Sequence, residues 1–103
     1  NTQTGSTYTL ASTDQYQVLV VTSNAGTKTV SIPTDATYAF PTGTAITIVN
    51  TGAGLLTINA VTPGTTTVYS TGATSTAPTV QQYKAAVAIK TATNGWVVTG
   101  GIA

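Results

Sequence analysis

The chain contains no cysteine, histidine, glutamate, arginine or methionine. Without cysteine there is no disulfide framework and no thiolate. With histidine also absent, the soft metal ligands are missing altogether. General acid–base chemistry is left with two carboxylates, Asp14 and Asp35. A glycosidase pair would hold them several ångströms apart across a cleft, with one desolvated. Both instead sit in turn-like contexts, ASTDQY and PTDAT, where an Asp accepts backbone N–H groups. The many Ser and Thr hydroxyls have no base to activate them. Gly52 and Gly54 are not followed by a helix, so they do not form a phosphate loop. The sequence is therefore read as having no catalytic residue, no metal site and no cofactor. A lysine–asparagine or lysine–aspartate isopeptide crosslink is chemically conceivable, but only two carboxylic acids exist to shuttle its protons.

Charge is almost absent as well. Charged residues make up 5% of the chain, against roughly 25% in ordinary soluble domains. Three separated lysines and a net charge of +1 cannot neutralise a run of phosphates, which excludes nucleic acid as a partner. No apolar run approaches the roughly 20 residues of a membrane-spanning helix. The opening NTQTGSTYTL lacks the basic and apolar stretches of a secretory leader and does not begin with Met, so processing or trimming is expected.

Threonine takes the place of charge and fills about a quarter of the positions. Its β-branch favours strands, and its hydroxyl keeps a neutral surface wet. With 103 residues, 41% of them hydrophobic, the chain is one domain over 1–103 with a single core. Residues 1–6 are read as an extended arm. Near-neutrality supplies little repulsion between copies, so association is expected.

The hydrophobic period is two almost throughout. Strands are predicted over Thr7–Leu10, Gln17–Thr22, Lys28–Ile32, Ala45–Asn50, Leu55–Val61, Thr65–Ser70, Gln82–Thr91 and Trp96–Gly100. Turn chemistry separates them at Asn24-Ala25-Gly26, Thr51–Gly54, Pro63-Gly64, Gly72 and Asn94-Gly95. About eight short strands predict an all-β fold, a compact antiparallel sandwich or jelly-roll-like barrel. ITIVNTGAGLLTINA, from Ile46 to Ala60, reads as a hairpin, and so does the closing pair around Asn94-Gly95. No internal repeat stands out.

Alternation also assigns faces. Tyr83, Ala85, Val87 and Ile89 are expected to point inward, with Trp96 and Val98 on the same core. Lys84, Ala86, Ala88 and Lys90 would then face outward, as a subunit interface or a short-side-chain solvent face. The longest connection, PTDATYAFPTG, holds Tyr38 and Phe40, either tucked under the sheet or offered to a partner or glycan. Gly72–Thr79 is small, polar and expected to be mobile.

Read in order, YTL…TD…VLVV…TVSIP…GTAITIVNTG…QQYKAAVAIK…TNGWV resembles a domain recurrent in structural proteins of tailed bacteriophages. The pattern is T-V-x-I-P, then G-x-x-I-T-I-x-N-T-G, then a tyrosine strand and T-N-x-W-V, and it covers nearly the whole chain. That resemblance implies a virion part found in tail fibres, spikes or small head-associated proteins, usually a trimer, and it carries no catalytic residues. The expected role is a capsid decoration or head-associated protein on the particle surface, bound to other virion proteins such as the major capsid protein. A tail-fibre or spike module binding host surface glycans is the alternative. A third reading is a carbohydrate-binding module stacking sugars on Tyr38, Phe40 or Tyr69.

Overall fold

Period-two alternation is realised as strands throughout the computed structural model, which describes residues 1–70 and 76–102. In chain order these are β1 (Thr2–Gln3), β2 (Thr7–Thr9), the single helical turn α1 (Asp14–Gln17), β3 (Leu19–Thr22), β4 (Lys28–Ile32) and β5 (Ala45–Asn50). There follow β6 (Leu56–Ala60), β7 (Thr67–Ser70), β8 (Thr79–Val80), β9 (Lys84–Ala92) and β10 (Gly95–Gly100). One sheet has the order β1-β3-β5-β9-β10-β7 and the other β2-β4-β6-β8. The buried faces of both sheets join in a single hydrophobic cluster, so they lie as the two layers of a sandwich. The all-β expectation holds. Residues 72–75, the first half of the stretch Gly72–Thr79, lie outside the described residues, and the end of that stretch contributes Thr79 to β8.

Strand direction departs from the antiparallel expectation. Pairs β1–β3, β3–β5, β2–β4, β4–β6 and β7–β10 are parallel, while β5–β9, β9–β10 and β6–β8 are antiparallel. The reason is that successive strands from β1 to β6 alternate between sheets. Each one returns parallel to its predecessor in the same sheet, as in a flattened coil. ITIVNTGAGLLTINA is therefore not a hairpin: β5 lies in one layer and β6 in the other.

This coil contains a structural repeat that the sequence does not announce. Leu19 pairs with Thr47 in one sheet and Lys28 with Leu56 in the other, the same offset of 28 residues. The turn at 51–55 consequently stacks on the turn at 23–27. Contact there is backbone to backbone. A Cβ on Gly52 would lie 1.9 Å from the Asn24 carbonyl oxygen, and one on Gly54 would lie 2.1 Å from that of Gly26. Only glycine allows this approach.

Lys28 closes the stacked turns from inside. Its side chain is buried, and Nζ donates to the carbonyls of Asn24 at 2.8 Å, Gly26 at 3.3 Å and Gly54 at 2.7 Å. Burial lowers its pKa below the usual 10.5. Asn50, also buried, donates to the carbonyls of Gly54 and Val80 and accepts the N–H of Gly52. The orphan backbone groups of two turns are thus paired by two side chains.

At the other end of the sandwich, Trp96 is fully buried, the core position expected of it. Phe40 meets it edge-on at 5.4 Å between ring centroids, and Tyr38 meets Phe40 edge-on at 4.7 Å. β9 and β10 form the expected hairpin, with Asn94 at φ 51° and a register shift between Gly95 and Trp96. The strand expected from Gln17 begins at Leu19, because α1 and a left-handed Val18 at φ 54° come first.

Candidate interaction surfaces

Both carboxylates are committed to holding the chain together. Asp14 is fully buried and accepts from Asn1 Nδ2 at 2.8 Å, Tyr8 OH at 2.6 Å and the Ala11 N–H at 2.8 Å. Burial, and then the bond to the Asp14 carboxylate, raise the Tyr8 phenol above 10.0. Asp35 accepts from Lys90 Nζ at 2.9 Å and from the Asn94 N–H at 3.2 Å. Lys90 donates in addition to the Phe40 carbonyl at 2.8 Å, and its Nζ lies 5.7 Å from the centre of the Trp96 ring. The local turn role read for Asp14 is present in its bond from the Ala11 N–H, whereas the backbone N–H that Asp35 accepts belongs to Asn94 in the distant β9–β10 turn. Among the described residues no group of three or more Asp, Glu, His or Cys gathers to hold a metal ion. Among the described residues no helix is long and apolar enough to cross a membrane.

The face assigned to the long strand is reversed. Ala86 and Ala88 are fully buried and Lys90 is 2% exposed, whereas Tyr83 is 78% exposed and Ala85 is also outside. Cross-strand neighbours explain the reversal. Ala86 lies between Ile48 and Gly100, and Ala88 between Ile46 and Val98. The isoleucines and Trp96 fill the interior, so β9 contributes small side chains there. Of the expected interface set Lys84, Ala86, Ala88 and Lys90, only Lys84 remains on the surface. Tyr38 and Phe40 are tucked in. Phe40 is buried, which removes it as a partner or glycan contact, and Tyr38 is half-buried with its hydroxyl bonded to Gln15 Oε1.

Two unlike outer faces result. On the six-stranded sheet the outward positions are apolar or threonine: Leu19, Val21, Val49, Val87, Ile89 and Val97, with Thr47, Thr99 and the exposed Tyr69. Val21, Val49 and Ala85 stand in register across three strands, as do Leu19, Thr47, Val87 and Thr99 across four. Exposed Tyr16 and Val18 flank β3, and exposed Tyr83 flanks β9. No charged side chain projects from this face. Indeed Lys84 is the one exposed charged side chain in the protein, since Asp14, Lys28 and Lys90 are buried and the Asp35 side chain is only 18% exposed.

The sequence carries a signal of this face. LVVT, AITIVN, KAAVAIK and WVVT are apolar in both phases of the alternation, the pattern of strands covered on both sides. Strands of the other sheet, KTVSI and LTINA, alternate apolar with polar, the pattern of one wet face.

That wet face is an array of hydroxyls. Thr7, Thr29, Thr57 and Thr79 lie in register across all four strands, and Thr9, Ser31 and Asn59 form a second rank beside them. Ser31 Oγ donates to Asn59 Oδ1 at 2.7 Å within that rank. Next to Asn59 a cleft of about 330 Å³ opens between β6, β7 and the residues before β8, with Pro63, Thr66, Val68 and Ala77 among its walls. No charged group lines it.

Comparison with protein-family models, curated proteins and solved structures returned no match.

Proposed function

We propose that this chain is a non-enzymatic structural protein of a tailed-bacteriophage virion, a capsid decoration or head-associated part that works as an oligomer, a trimer as the resemblance implies. The observation that carries the assembly reading is the outer face of the six-stranded sheet. It is apolar, free of charge and flanked by exposed tyrosines. Interface cores are depleted in charge and enriched in aromatic residues in the same way. Covering such a face strands no ion, whose desolvation would cost several kcal/mol.

The virion assignment rests on the resemblance of the ordered motifs from Tyr8 to Trp96, and with it the expected contact to the major capsid protein. The non-enzymatic reading is supported by the saturation of Asp14 and Asp35 with structural partners. The glycan-binding alternative loses Phe40, which lies inside the core.

The test is the location of the chain in purified particles. Labelling intact virions with an antibody to this chain should decorate the head at regular positions. Labelling confined to the tail would move the module to a fibre or spike, and its absence from particles would overturn the virion assignment.

A further inference from the structure

We propose that the outer face of the four-stranded sheet binds ice, by matching its ranked hydroxyls to the repeat of the crystal. The proposal concerns a different face from the assembly surface and does not depend on it.

Within each rank the residues recur at the strand spacing, about 4.8 Å, and the two ranks are separated by two residues along the strand, about 6.7 Å. The second rank holds two hydroxyls and the Asn59 amide, which accepts from Ser31. The longer rank is threonine in all four strands, from Thr7 to Thr79. Intervening residues Tyr8, Val30 and Ile58 point into the sandwich, so nothing interrupts the array. Each threonine offers a hydroxyl that can join a water lattice and a methyl that orders water beside it.

A regular array is informative about its ligand. Repeating identical groups gain additively only against a surface that itself repeats, and hexagonal ice repeats at comparable distances. A single soluble peptide or oligosaccharide repeats along one direction only, and cannot match ranks that repeat both across and along the strands. The array holds no charge to attract an anionic polymer and no aromatic ring to stack on a sugar, which leaves ordered water as the best-fitting partner.

Rigidity matters too, because a lattice match tolerates little movement. β4 and β6 are fixed to each other by the stacked turns that Gly52, Gly54 and Lys28 lock together.

The test is ice recrystallisation and crystal shaping with the purified chain. The unmodified protein should keep ice grains small and facet growing crystals at concentrations where an equal amount of serum albumin does neither. Thr29→Tyr combined with Thr57→Tyr should abolish both effects. Thr7→Tyr, on the exposed edge strand, should weaken them while leaving the far-ultraviolet spectrum and melting temperature unchanged. Thr93→Tyr, in the exposed turn between β9 and β10, should retain full activity. Ice growth indistinguishable from the albumin control would overturn the proposal. So would undiminished activity in a folded Thr7→Tyr or double variant, or binding to crystalline polysaccharide with no effect on ice.

Discussion

Lys90 Nζ lies 2.9 Å from Asp35 Oδ1, and the two side chains are 2% and 18% exposed. An ion pair so withdrawn from water depends on both partners. Asp35→Ala leaves the Lys90 ammonium buried against Trp96 with only the Phe40 carbonyl, and it also frees the Asn94 N–H. A loss of about 3–5 kcal/mol is expected in denaturant unfolding. Lys90→Met should cost clearly less, because Asp35 can turn to solvent. Equal losses for the two variants would show that the pair is not desolvated.

Gly52 and Gly64 make a matched test of the stacked turns. Gly64 has nothing within 4 Å of a built Cβ, whereas Gly52 has the Asn24 carbonyl oxygen at 1.9 Å. Gly52→Ala must therefore push two backbone turns apart. It should destabilise by at least about 2 kcal/mol, while Gly64→Ala should stay within about 0.5 kcal/mol of the parent. Chemical denaturation of both variants decides the matter.

Trp96→Ala should cost roughly 3–5 kcal/mol, as truncation of a fully buried large aromatic does. Calorimetry reads it directly, and a loss under about 1 kcal/mol would contradict the packing of Phe40 on the ring.

Two groups set the alkaline behaviour with opposite signs. The Tyr8 phenol is raised above 10.0 in the folded protein. Between 10.0 and that higher value the native state holds the proton more firmly than the unfolded chain. Its contribution is complete below pH 10 and lost as pH rises through the folded value. The Lys28 ammonium is lowered below 10.5. Between its folded value and 10.5 the unfolded chain binds more protons, so stability rises with pH there. Tyr8→Phe should flatten the decline of melting temperature above pH 10, and Lys28→Met should steepen it. Parallel pH profiles for all three proteins would contradict both assignments.

Much of this was legible in the residues, and the remainder was hidden for identifiable reasons. β4 and β5 begin and end where alternation and turn residues place them, and Trp96 sits in the core. Alternation cannot tell whether the next strand pairs with its predecessor or crosses to the opposite sheet. The β5–β6 crossover was therefore read as a hairpin, and the 28-residue coil went unseen. The face of β9 was inverted because Val87 and Ile89 are larger than Ala86 and Ala88. Which phase is inside depends on how much volume Ile46, Ile48 and Trp96 already supply across the sheet, and that is a property of the pairing. The burial of Lys90 likewise depends on Asp35, 55 positions away. The assembly face left a mark in the doubly apolar strands, but it became a surface only once their order in the sheet was known.

Sedimentation velocity of the unmodified chain beside Val49→Lys tests the central claim most directly. Val49 is half-buried among Val21 and Ala85 on the outer apolar face, so lysine there charges the face without entering the core. The unmodified chain should sediment as a discrete oligomer, and Val49→Lys as a folded monomer. A monomeric parent at the highest soluble concentration, or an oligomer unaffected by the lysine, would contradict assembly through this sheet.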